Sequence, residues 1–171
     1  MKMRATALCF VATSFCASAH IVLEQKSAAA GSYFKANFQV GHGCDGAATT
    51  ALRISIPAGI VSARPQPKSG WQVAVRTEAL AVPQHQYGRK LTERISEITW
   101  SGGTLADAHF DEFAIQLKLP DQPGTMRFNI LQTCVSGQND WSQAAEPGKP
   151  APRWPAPVLE VTPAAAKPHQ H

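Results

Sequence analysis

A chain of 171 residues, 44% hydrophobic and 16% charged, is long enough to bury one core of its own and too short for two large ones. Its formal net charge of +4 comes from scattered Lys and Arg with no basic run, which argues against nucleic acid as a partner. No apolar stretch reaches the roughly 20 residues of a bilayer span, and no G-x-S-x-G, phosphate-loop, dinucleotide or H-E-x-x-H motif occurs.

The chain opens as a secretory signal. Lys2 and Arg4 give a positive start, Ala5 to Cys16 a short apolar stretch, and Ala17-Ser18-Ala19 a small-residue cleavage site before His20. The expected mature domain is 20–163, exported to the periplasm, with a disordered tail over 164–171. Cleavage at that bond leaves His20 with a free α-amine beside its imidazole Nδ1. Two nitrogens on one residue close a chelate ring, and amine and imidazole donors suit copper, which heads the divalent affinity order.

Beyond His20, Ile21-Val22-Leu23 is a largely β-branched run ending at Glu24, long enough for a short first strand, and Lys26 to Gly31 reads as a small-residue turn. Tyr33 to Val40 alternates, with Phe34, Ala36, Phe38 and Val40 on one face, the period of a half-buried strand. Gly41-His42-Gly43-Cys44-Asp45-Gly46 breaks it with three glycines in six residues. Further strands are expected over Ala51–Ile56, Ile60–Ala63, Trp71–Arg76, Ile95–Trp100, Glu112–Leu119, Met126–Cys134 and Pro157–Val161. Leu80 to Thr92 reads as an excursion or long hairpin, Leu105 to Asp111 as a loop with one helical turn, and Ser136 to Pro155 as a Pro-rich loop. Short alternating segments between Gly/Pro turns, with no amphipathic helix, predict an immunoglobulin-like antiparallel β-sandwich of seven to nine strands.

Two cysteines, Cys44 and Cys134, follow the cut. In an exported protein such a pair most often forms one disulfide. It would close a loop of about 90 residues, worth roughly 4 kcal/mol in the chain-entropy model; the competing role is a pair of thiolate copper ligands. His42 fits either a loop-stabilising hydrogen bond or a metal ligand. Trp141 fits a core aromatic, as expected of Trp71 and Trp100, or a cap over a metal by cation–π contact. His85 and His109 have no partner at ligand spacing, and His169 and His171 lie in the tail.

Several segments, taken in order, resemble the YcnI-like family of exported bacterial domains. They are His20-Ile21-Val22-Leu23-Glu24, the GHGCDG segment from Gly41 to Gly46, Thr49 to Arg53, Ile56 to Gly59 and Gly70-Trp71. Phe110 to Phe113, Thr133-Cys134 leading to Trp141, and Pro155 to Leu159 complete the set. The resemblance implies a β-sandwich that binds Cu(II) through a single-histidine brace: amine and imidazole of the first residue, a carboxylate, and a nearby tryptophan. His20 and Trp141 take the first and last of these places. The family's carboxylate lies on the second strand, where Phe34 stands in this chain, so another ligand is needed. His42 ranks first, then Asp45, then Glu24, which lies roughly 13 Å from His20 along an extended strand. The implied role is a copper carrier rather than an enzyme, its partners being copper and a periplasmic copper chaperone or inner-membrane copper transporter. The alternatives are a copper oxygenase, with His42 as a second histidine, and a metal-free interaction module.

Overall fold

The computed structural model describes residues 20–86 and 88–164; the expected signal segment over 1–19 and the expected tail from 165 onward lie outside the described residues. Among the described residues twelve strands are formed and none is helical. In chain order they are β1 (Val22–Leu23), β2 (Ser27–Ala29), β3 (Tyr33–Val40), β4 (Thr49–Ser55), β5 (Ser62–Pro65) and β6 (Gln72–Gln86). Then follow β7 (Arg89–Leu105), β8 (Asp111–Lys118), β9 (Gly124–Arg127), β10 (Ile130–Cys134), β11 (Gln138–Trp141) and β12 (Val158–Thr162).

One sheet has the order β1-β3-β8-β5, the second β11-β10-β4-β7-β6, and a smaller third β2-β12-β9. All pairings are antiparallel except β2 with β12. The period of two in β3 sends Phe34, Ala36, Phe38 and Val40 inward, all buried. β8 answers with Phe113, Ile115 and Leu117, and from the facing sheet come Leu52, Ile54, Ile98, Trp100 and Ile130. Trp100 of β7 meets Phe113 of β8 edge-to-face at 5.5 Å, so the two larger sheets close on one core. Each large side chain fully withdrawn from water contributes about 1.5–3 kcal/mol.

The strand count exceeds the seven to nine expected for three physical reasons. The small residues of 27–29 form β2 against β12 rather than a bare turn. The run Met126–Cys134 is not one strand but two, in different sheets. Between them Phe128 is buried and its N–H is taken by Pro157 O at 3.0 Å, while Asn129 O accepts from Ser55 N at 2.9 Å. The segment after Ser136, expected as loop, turns at Gly137 and returns as β11 beside β10. The polar stretch 80–92 is the outer part of the long β6–β7 hairpin. Residues 106–109 make only a turn, with His109 N bonded to Ala106 O at 3.0 Å.

Candidate metal-binding site

The pairing of β1 with β3 sets Val22 opposite Gln39 and Leu23 opposite Phe38. Continued by two residues, that register places His20 across from Gly41, beside His42. Both imidazoles then meet one indole. The ring centroid of Trp141 lies 5.9 Å from that of His20 and 6.0 Å from that of His42, each edge-on. Trp154 packs on the same indole at 4.9 Å. Trp141 is fully buried, whereas both histidines are half-buried. A mostly apolar cleft of about 210 Å³ runs from His20 along β1 and is walled by Pro155 to Val158.

Trp141 is fixed by Gln132, a polar residue on the inward face of β10. Gln132 Oε1 accepts from Trp141 Nε1 at 3.0 Å and from Asn139 Nδ2 at 3.4 Å. Its Nε2 donates to His42 O at 2.7 Å and to Thr49 Oγ1 at 2.8 Å. A carboxamide has two N–H groups and two lone-pair sites, and all four are used. Because an indole N–H only donates, the amide has one consistent orientation. With its single N–H given to Gln132, Trp141 forms a wall of the site and offers no nitrogen to a metal.

The GHGCDG loop explains how His42 is presented. Cys44 and Ala47 exchange two backbone hydrogen bonds of 3.0 and 2.9 Å, with Asp45 (φ 48°) and Gly46 (φ 87°) between them. That is a two-residue turn with both central residues left-handed, the geometry Asp-Gly favours. Gly43 is required for closeness: a Cβ there would stand 1.8 Å from Ala47 O. Gly43 N donates to Asp107 Oδ1 at 2.8 Å, tying the loop to the turn before β8. His42 Nδ1 is hydrogen-bonded to Gly43 O. A carbonyl only accepts, so Nδ1 carries a proton, and of the two ring nitrogens Nε2 is the one that could serve a metal in the neutral tautomer. The Cys44–Cys134 disulfide is formed and buried, leaving no thiolate for a metal among the described residues. It fits an oxidising, extracytoplasmic environment.

The carboxylates go elsewhere. Asp45 occupies the turn tip with an 87% exposed side chain, 3.9 Å from Arg153. Glu24 accepts from Asn37 Nδ2 at 3.1 Å on the outer face of the first sheet. Phe34 is buried at the far end of β3, six residues or roughly 20 Å from Val40; the position aligned with the family's carboxylate is remote from His20 whatever residue fills it. Among the described residues, no group of three or more His, Cys, Asp or Glu is arranged to hold a metal ion. The structure thus brings together His20, His42 and Trp141 and leaves Asp45 and Glu24 out. Gln132, Asp107 and Trp154 escape a sequence reading, since only the pairing of β10 with β4 and β11, and the return of a Pro-rich loop, carry them to the site.

An all-β sandwich with two histidines at one end, resting on a buried tryptophan beside a disulfide, is the class this fold and site define. The chain belongs to a family described as a domain of unknown function (DUF1775), whose model matches residues 20–161. Among solved structures it is similar to an uncharacterized protein from Nocardia farcinica with an immunoglobulin-like fold, at 25% identity and a TM-score of 0.66, covering 85% of this chain and 99% of that one. No curated protein matches the chain.

Proposed function

We propose that the processed chain is a periplasmic Cu(II)-binding protein of the YcnI-like kind. It holds the ion through the α-amine and imidazole of His20 and receives a third nitrogen from His42 Nε2. The observation that supports this reading is the meeting of both imidazoles on Trp141, with the tautomer of His42 set by Gly43 O. Nitrogen donors alone, in the place of the carboxylate the family resemblance implied, suit copper. Trp141 and Trp154 limit solvent at the ion, and the protein acts as a carrier that exchanges copper with a periplasmic chaperone or an inner-membrane transporter.

The test is a Cu(II) titration of protein beginning at His20 against protein carrying one added residue before it. Acylating the α-nitrogen removes a donor, so affinity should fall at least about 100-fold, or ~2.7 kcal/mol. His42→Ala should weaken binding and change the copper EPR spectrum. Equal affinity in the extended form would overturn the reading and mean that another site holds the metal; a metal-free interaction module predicts no change in copper affinity when His20 is replaced. The presence of two imidazoles also brings in the oxygenase alternative, which predicts sustained peroxide production from ascorbate and oxygen; the carrier should be nearly inert.

A further inference from the structure

The free edge of the second sheet holds a feature unrelated to the histidines. β6 ends the order β11-β10-β4-β7-β6, and among the described residues no strand lies on its far side. Edge strands are usually short, or blunted by Pro, Lys or a bulge, because a bare row of N–H and C=O groups is a template for another strand. β6 is 15 residues long. Its run from Gln72 to Ala79 is exposed at every residue and contains no Pro, Gly or Lys. The bulge at Ser96 belongs to β7 and leaves β6 continuous; the edge is interrupted only beyond Ala79, where Leu80 to Pro83 stand opposite Thr92.

This edge is apolar on one face and charged on the other. Val73 and Val75 are register partners of the buried Trp100 and Ile98. They stay 36% and 50% exposed, because the facing sheet is a strand narrower and does not cover them. On the outer face, two adjacent rows reach the edge with opposite charges. In one, Glu97 is shared by Arg53 and Arg76 at 3.7 and 3.6 Å, so the row ends in a cation with charge to spare. In the next, Arg94 Nε donates to Glu78 Oε1 at 2.7 Å while its Nη1 is turned to the carbonyls of Ile56, Pro57 and Ile60. That row ends in the Glu78 carboxylate. The end groups Arg76 and Glu78 are both open to water.

A strand with opposite charges two residues apart is complementary to its own reverse. Outward-pointing N–H and C=O groups alternate along a strand, so a twofold antiparallel pair must pass its axis through a residue. An axis at Arg76 or at Glu78 sets like charges opposite each other. At Val75 it sets Arg76 against Ala74 and Glu78 against Gln72. At Thr77 each Arg76 meets Glu78 of the other copy, and no other axis does this.

We infer that β6 is a self-recognition edge through which two copies of this chain join, antiparallel about Thr77, into one continuous sheet. The charged rows then run unbroken across the junction, Glu97–Arg76 of one copy into Glu78–Arg94 of the other, twice over. On the inward face each Val75 lies opposite Ala79 of the other copy. Opposite charges in directly facing positions stabilise a strand pair and like charges destabilise it, which fixes the register of this isologous contact.

Sedimentation of copper-free protein tests this apart from the His20 site. A reversible monomer–dimer equilibrium is expected, with a dissociation constant below about 100 μM. Arg76→Glu puts carboxylate against carboxylate, and Glu78→Arg puts guanidinium against guanidinium. Each should weaken the dimer at least about tenfold. An equimolar mixture of the two variants should form a heterodimer, since both pairs across the junction are again opposite in charge. Assembly from two chains that are each monomeric also shows that each still folds. Thr77→Cys should cross-link to its counterpart on mild oxidation, because directly facing strand residues stand within disulfide range. Gln72→Cys, on the same strand but roughly 33 Å from its counterpart, should not. Protein that stays monomeric at about 500 μM, single variants that dimerise as the parent does, a mixture that stays monomeric, or equal cross-linking at the two cysteines would overturn the proposal.

Discussion

At the scale of single residues, Gln132 is the one on which the histidine site depends. It carries no charge and touches no ligand, yet it holds the indole under both imidazoles and the backbone carbonyl of His42 at once. Its replacement by Leu keeps the volume but takes the partner from Trp141 Nε1, Asn139 Nδ2, Thr49 Oγ1 and His42 O. Four lost partners at about 1–3 kcal/mol each, partly relieved by relaxation, predict a destabilisation of about 4 kcal/mol or more in urea unfolding. Copper affinity should fall about tenfold, as when an outer-shell partner of a ligand is removed. A variant that loses stability but retains affinity would mean that His42 is held by Gly43 and Asp107 alone.

At the scale of elements, much was legible and the reasons for the rest are specific. β3 and β8 could be read from sequence within a residue because each is buried on one face, so its period of two is complete. The β6–β7 hairpin beyond Ala79 buries little on either face, and a strand without a core face has no hydrophobic period to detect. Met126–Cys134 reads as a single strand because alternation continues through Phe128; the change of sheet is a property of partners that sequence does not display. For the site, His20 and His42 stand out by residue type, whereas Gln132 looks like any polar residue in a strand, and that Phe34 lies at the end of β3 away from His20 follows only from the pairing of β1 with β3. The GHGCDG turn was legible as a loop but not as a tight hairpin whose turn directs Asp45 outward. That hairpin makes a prediction of its own. Gly43→Ala places a methyl group against Ala47 O, where backbone rather than a flexible side chain must yield. The cost should be about 1–3 kcal/mol, with faster hydrogen exchange at Cys44 and Ala47 and slow exchange retained in β3 and β4.

For the whole molecule, the Cys44–Cys134 bond is the covalent link that matters. Cys44 lies in the loop that leads from β3 of the first sheet to β4 of the second, and Cys134 ends β10 of the second, so the bond ties that crossover loop to the second sheet at the end that carries His42. It spans 90 residues of sequence, and closing so long a loop restricts the unfolded chain by about 4 kcal/mol. The native loop, by contrast, is also held by the Cys44–Ala47 hairpin, by Asp107 and by Gln132. These bonds do not need the sulfurs. Reduction, or the pair Cys44→Ala with Cys134→Ala, should therefore lower the melting temperature by roughly 8–16 °C, while copper affinity at 25 °C changes much less than the 100-fold expected from blocking the amine of His20. Urea unfolding and copper titration of oxidised and reduced protein separate the two quantities. If affinity collapses on reduction while the fold persists, the disulfide itself sets the position of His42, and copper binding becomes sensitive to the redox state of the compartment.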